Sequence, residues 1–211
     1  MKKLIVAISA LLFSASTAYA GAKIGINVTG MEFDSAKGTE EHKGVVSNES
    51  ATLGAVLGSI FVEGSVLDLF SVGLEYVPYD IEGETVTNTR RADTGAQNHI
   101  DHTSVDLSNH TSLYVLVPLG DAGAYVKAMA SHVEYTVNEN NNANTTYTDD
   151  EIMGGHLSLG VEKEVGPVFV RGFVGISEYE TAESESSSGN TRIKAALGDG
   201  THAGISIGKS F

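Results

Sequence analysis

The chain contains no cysteine and no tryptophan, and only three prolines. Without cysteine there is no disulfide framework, no thiolate metal site and no lipid-modified cysteine. Basic residues are scarce: 13 Lys and Arg stand against 27 Asp and Glu, for a formal net charge of −14. No basic patch is visible, so nucleic acid is not an expected partner. Past the N-terminus no long apolar run occurs, and no transmembrane helix is expected. Glycine, by contrast, is abundant, with 24 residues.

The first twenty residues read as a cleaved secretory signal. Lys2 and Lys3 give a positive start, and Leu4 to Phe13 is an apolar stretch too short to span a bilayer. Ala18-Tyr19-Ala20 is the cleavage site, which leaves residues 21–211 as one exported domain.

Period-two alternation recurs throughout that domain and predicts eight strands, over about 22–33, 50–66, 70–79, 103–117, 124–137, 152–164, 168–179 and 193–211. In the third, Phe70, Val72, Leu74 and Tyr76 alternate with Ser71, Gly73 and Glu75. In the second, Leu53, Ala55 and Leu57 share one parity and Ile60 and Val62 the other, which predicts a bulge near Gly58. Val105, Leu107, Leu113, Val115 and Val117 are in phase, as are Ile193 through Phe211. Strands two and three, four and five, and six and seven are joined by tight turns. The other connections, about 34–49, 80–103, 138–151 and 180–191, read as long polar loops holding most of the acidic residues.

The closing stretch, Ala203-Gly204-Ile205-Ser206-Ile207-Gly208-Lys209-Ser210-Phe211, alternates apolar with small or polar residues and ends on an aromatic. This resembles the last strand of bacterial outer-membrane β-barrels; Lys209 departs from that pattern, which usually has an apolar residue there. With Gly73-Leu74-Glu75-Tyr76-Val77-Pro78, it makes the chain similar to the small eight-stranded barrels of the opacity and OmpA-like transmembrane type. The resemblance implies an all-β fold, an eight-stranded antiparallel up-and-down transmembrane β-barrel in the bacterial outer membrane. It also implies that barrel-assembly machinery reads Ile205, Ile207 and Phe211, and that membrane lipid and lipopolysaccharide surround the wall. Short turns on one side and long loops on the other suit that architecture. A soluble lipocalin-like barrel would point the same apolar residues inward instead.

Glu75, Lys127, Glu162 and Arg171 fall on the polar face. In so narrow a barrel opposite charges should pair and fill the lumen; a gated ion path is the competing reading. Phe70, Tyr76, Tyr79, Tyr125, Tyr135, Phe169 and Tyr179 lie near strand ends and are expected to form interface girdles. His42, His99, Asp101, His102 and His110 match no closed metal site, so no metal or other cofactor is expected. His-x-Ser occurs at His102/Ser104, His110/Ser112 and His156/Ser158, the spacing used by lipid A deacylases. His156 and Ser158 would face the lumen and not the acyl chains, so an enzyme is not expected. The acidic loops read as solvated surface; divalent-cation bridging to lipid headgroups is the alternative. The resulting expectation is a structural, surface-interaction barrel, with a narrow pore as the alternative.

Overall fold

The computed structural model describes residues 21–42, 45–66, 69–83, 86–90, 99–140, 147, 150–187 and 191–211. The signal segment lies outside them. Among the described residues every regular element is a strand, and all pairing between strands is antiparallel. There are eleven: β1 (Ala22–His42), β2 (Val45–Val66), β3 (Phe70–Tyr76), β4 (Val86–Arg90), β5 (His99–Pro118), β6 (Ala124–Asn140), β7 (Asp150–Val165), β8 (Val168–Tyr179), β9 (Ala182–Glu185), β10 (Thr191–Ala196) and β11 (Asp199–Ser210).

The sheet order is β11-β8-β7-β6-β5-β3-β2-β1-β10-β9, with β4 on β5. Because β1 also pairs with β11, from Lys23↔Ser210 to Phe33↔Gly200, the path returns on itself. The sequence predicts eight strands where the sheet has eleven. The differences are the short strands β4, β9 and β10, all within or beside stretches expected to be loops.

Those stretches are largely paired. β1 and β2 stay together up to His42↔Val45, and β5 and β6 to His102↔Asn140. Here polar residues occupy much of both faces, so alternation gives little signal, and cross-strand backbone hydrogen bonds carry the ladder together with side-chain bonds such as Thr39 to Asn48 and Asn138 to Asp106. The tight turns fall where expected, between β5 and β6 and between β7 and β8. Gly120, Gly123 and Gly166 supply the left-handed backbone there, at φ of 72°, 79° and 62°.

Facing is inverted relative to a soluble protein. The aliphatic rows point out: Val56 is 73 % exposed, Leu159 56 %, Val161 61 %, Ile176 61 % and Ile205 64 %. The rows between them point in and are buried. From Met153 to Val161 the outer row of β7 is apolar, roughly 26 Å along the strand at 3.3 Å per residue.

Three phase expectations are corrected. The register through Gly58 is unbroken, and Leu57 turns inward while Val56 turns out. A bulge between Ser108 and Thr111, with Asn109 at φ 52°, swaps the faces of β5. Val105 and Leu107 therefore pack inside while Leu113, Val115 and Val117 point out. Gly198, at φ 70°, breaks the predicted last strand into β10 and β11, so Ile193 packs inside and Ile205 outside.

Candidate functional site

The interior is the site, and the inward row of β6 lists its contents. From the turn end upward it reads Tyr125, Lys127, Met129, Ser131, Val133, Tyr135 and Val137. An aromatic and ionic tier comes first, then a polar tier, then an apolar one.

In the lowest tier Arg171 donates from Nη1 and Nη2 to both carboxylate oxygens of Glu63, at 2.7 and 2.8 Å. Its Nε donates to Glu162 at 2.5 Å. Lys23 bonds the other oxygen of Glu162 and also reaches Glu164 at 2.9 Å. Tyr114 donates its hydroxyl to Glu63 at 3.0 Å. The guanidinium lies 4.8 Å from the Phe169 ring centroid and 5.7 Å from those of Phe61 and Tyr125. Arg171 is 4 % exposed and Glu63 3 %. Two buried charges survive there because the pairing is bidentate and every carboxylate oxygen of Glu63 has a donor.

One layer up, Lys127 pairs with Glu75 at 3.4 Å. Asn27 and Ser59 both donate to the second oxygen of Glu75, at 2.9 and 2.6 Å. Lys127 sits over the rings of Tyr114 and Phe173 at 4.9 and 5.1 Å. The four polar-face residues expected from the sequence thus form two separate pairs, Glu75 with Lys127 and Glu162 with Arg171. Glu63 and Lys23 complete the lower one. Sequence reasoning missed Glu63 although Ile60 and Val62 set the opposite face as the outward apolar one, because an apolar Phe61 at the parity of Glu63 blurs the alternation. Phe61 is buried with it.

Above the ion pairs runs a chain of hydroxyls and imidazoles. Ser112 bonds Ser131 at 2.7 Å, and Ser131 bonds His156 Nε2 at 2.8 Å. His156 Nδ1 bonds Ser177 at 2.8 Å, Ser177 bonds His202 Nδ1 at 2.7 Å, and His202 Nε2 bonds Ser158 at 2.7 Å. All six residues are buried. His156 and Ser158, spaced as expected for one strand face, do not bond each other: His156 takes partners from the adjacent β6 and β8, and Ser158 reaches past β8 to His202 on β11. His110, within the fourth predicted strand, is buried too, its inward turn set by the Asn109 bulge. It lines a cavity of about 30 Å³ together with Glu75, Lys127, His156 and His202. That is room for a water molecule or two. The side chains of His42, His99, Asp101 and His102 lie outside the described residues.

The top tier is apolar: Val133, Tyr135, Val137 and Ile152, with Val105, Leu107 and Ile193 packed against them.

The expected aromatic girdle divides in two. Phe70 and Tyr76 share the outward row of β3, and Tyr79 is 45 % exposed. Tyr125, Tyr135 and Phe169 are 2 %, 2 % and 0 % exposed and line the interior. Tyr179 lines the cavity, edge-on to His156 at 5.2 Å. Parity explains the correction: Tyr125 is two residues from Lys127, and Phe169 two from Arg171, so each shares its neighbour's inward face. At the chain end Ile205, Ile207 and Phe211 are all exposed, and Lys209 lies over the Phe211 ring at 4.7 Å.

Nearly every inward ring lies on a glycine of the adjacent strand. Phe33 covers Gly200, Phe61 covers Gly25, Tyr114 covers Gly73 and Tyr125 covers Gly160. Phe169 covers Gly208, Phe173 covers Gly204, Tyr179 covers Gly154 and the His202 imidazole covers Gly175. A methyl group on any of these glycines would overlap the ring. Much of the glycine content therefore makes room for aromatic filling.

No protein-family model matches the chain, and no curated relative does. Among solved structures, the outer membrane protein OprG from Pseudomonas aeruginosa is similar at a TM-score of 0.55 and 12 % identity, over 91 % of this chain and 96 % of that one. The outer membrane protease OmpT from Escherichia coli gives 0.48 and 9 %, over 90 % and 97 %. Ail of Yersinia pestis gives 0.39 and 7 %, over 92 % and 100 %. The likeness to OprG is one of fold.

Proposed function

We propose that the eleven strands are eight staves of a closed barrel in the bacterial outer membrane, whose filled lumen makes it a structural and surface-interaction protein and not a pore. On this reading β3 with β4, β8 with β9, and β10 with β11 are single staves interrupted by bends. The outward aliphatic belt is the observation that carries the reading. An aqueous surface would leave those side chains in water, whereas lipid accepts them and demands a closed backbone ladder. The fold shared with OprG supports the same location.

Export through the signal segment, insertion by assembly machinery reading Ile205, Ile207 and Phe211, and contact with lipid and lipopolysaccharide follow from this placement. The turn end then faces the periplasm and the acidic hairpin ends face out. Adhesion through those ends is the functional class proposed. A pore is disfavoured by the three side-chain tiers, which fill the interior around a cavity of about 30 Å³. A lipid-cleaving site is disfavoured because His156 and Ser158 are buried away from the belt.

The test is mobility on a gel with and without boiling, beside conductance in a planar bilayer. A boiling-dependent shift with a silent bilayer is expected. Absence of the shift overturns the membrane barrel, and steady conductance steps overturn the filled lumen in favour of the pore.

A further inference from the structure

Among the described residues the barrel wall has an incomplete seam between β2 and β3. β2 and β3 pair from Val66↔Phe70 to Ile60↔Tyr76 and then part. The chain after Tyr76 follows β5 instead: Val77 N–H donates to His110 O at 3.0 Å, and Ile81 exchanges both backbone bonds with Leu107. β4 continues on β5 alone. β2, meanwhile, runs on to Val45, and among the described residues β1 is the one strand paired with it there.

Which backbone groups this exposes follows from strand geometry. Gly58 N–H donates across the seam to the Tyr79 hydroxyl at 2.6 Å, while Ser65 N–H donates the other way, to Gly21 beside β1. In-plane groups alternate along a strand, so the even residues of β2 face the seam. Above Gly58 these are Val56, Gly54 and Thr52. Among the described residues no strand pairs with their N–H and C=O groups. Val56 opposes Gly30 at the upper border of the apolar belt; Gly54 opposes the exposed Glu32 just beyond it. An unpaired amide at that border is costly. The edge from Ser50 to Ser59 also has no charge and no proline, two devices that normally protect an edge strand, and the extra residue of the register shift between Phe33 and Ala36 lies on β1, opposite Thr52, not on β2 itself.

We propose that this seam is a strand-acceptor site, taking an extended polypeptide segment edge-on against Thr52, Gly54 and Val56. The proposal rests on the membrane-barrel reading. The segment enters from outside. Its centre is uncharged and β-branched, to match Val56 and Thr52, and a basic residue follows where Glu32 and Asp34 lie exposed on β1. A second copy of this chain does not fit. Two copies in one membrane run their β2 strands the same way, and rotation about the membrane normal sets donor against donor.

The probe is a labelled synthetic peptide of alternating valine and threonine with lysines at one end, titrated against the full protein in lipid nanodiscs containing lipopolysaccharide. Saturable binding is expected, with slowed amide exchange at Thr52, Gly54 and Val56. N-methylation of alternate peptide amides, which removes one row of donors, is expected to weaken binding about tenfold or more. Val56→Pro should do the same while keeping the boiling-dependent gel shift. Absent binding, or binding indifferent to N-methylation, overturns the proposal. So does exchange at these amides that is already slow without peptide, which assigns the seam to lipid. Loss of the gel shift in the unmodified protein instead overturns the barrel reading.

Discussion

Arg171 and Glu63, 108 positions apart in sequence, meet through two parallel hydrogen bonds of 2.7 and 2.8 Å inside a ring of aromatic side chains. Removing Arg171 leaves the Glu63 carboxylate buried with no cation bonded to it, its remaining donor the Tyr114 hydroxyl. Arg171→Met should therefore destabilise the fold by about 3–5 kcal/mol. Adding Glu63→Leu should recover part of that loss, because Glu162 still holds Lys23. Urea titration of the gel-shifted species in detergent, with Glu63→Leu alone as the second single variant, measures the coupling, and a double-variant loss equal to the sum of the two single losses would show that the pair is not coupled.

Ser177 joins two imidazoles. Ser177→Ala strands His156 Nδ1 and His202 Nδ1 together. A loss of about 1–3 kcal/mol is expected from those unpaired groups. Thr201→Ala, on the exposed row of the adjacent strand, should stay within about 0.5 kcal/mol.

The Gly73 and Tyr114 pair gives a sign reversal. In an open strand Gly→Ala stabilises by roughly 0.5–1 kcal/mol. Here the new methyl meets the Tyr114 ring, and Gly73→Ala should destabilise by about 1–3 kcal/mol. In a Tyr114→Ala background the same change should be neutral or favourable, as read by the unfolding midpoint.

Leu159 points out at mid-belt and Ser158, beside it, points in. Leu159→Arg should cost about 2–4 kcal/mol if lipid surrounds it. On a water-facing surface the same change would fall within about 0.5 kcal/mol. Folding yield into lipid vesicles separates the two.

Glu183, on β9, receives hydrogen bonds from Lys194 and lies 3.0 Å from Arg192, both on β10. The Lys194 hydrogen bond, then the nearby positive charges, hold its pKa below the ordinary 4.5. Its contribution to β9–β10 pairing is present above pH 4.5 and is lost as pH falls through the lowered value. Protection factors of the β9 and β10 amides, which correct for the intrinsic slowing of exchange in acid, should therefore fall on acidification below that point. Glu183→Gln should show the lower protection at every pH.

The fold was readable where one face meets a different medium from the other. Leu157, Leu159 and Val161 announce β7 because the apolar belt imposes strict alternation. Beyond the belt that constraint lapses, and the paired ends of β1 and β2 look like loop. Faces were readable only as far as phase persisted: the bulge at Ser108–Thr111 and the bend at Gly198 each exchange inside and outside without a strong local signal. Among the site residues, Arg171 and Lys127 were placed by parity, and Phe169 and Tyr125 could have been, by the same count of two. The partners that complete the site, Glu63 to Arg171 and His202 to Ser158, come from strands far apart in sequence. Which charge meets which is decided by closure of the ring.

The rings seated on glycines have a consequence for inheritance. Sliding one stave past its neighbour by two residues keeps every face correct, yet drives a ring into a side chain. Each ring–glycine pair therefore fixes one register, and the two positions can change only in concert. Descendants of this gene should lose Gly160 together with Tyr125, or Gly208 together with Phe169, and seldom one alone. Among the described residues the β2–β3 and β5–β6 joints carry no such pair, so this device does not fix their registers.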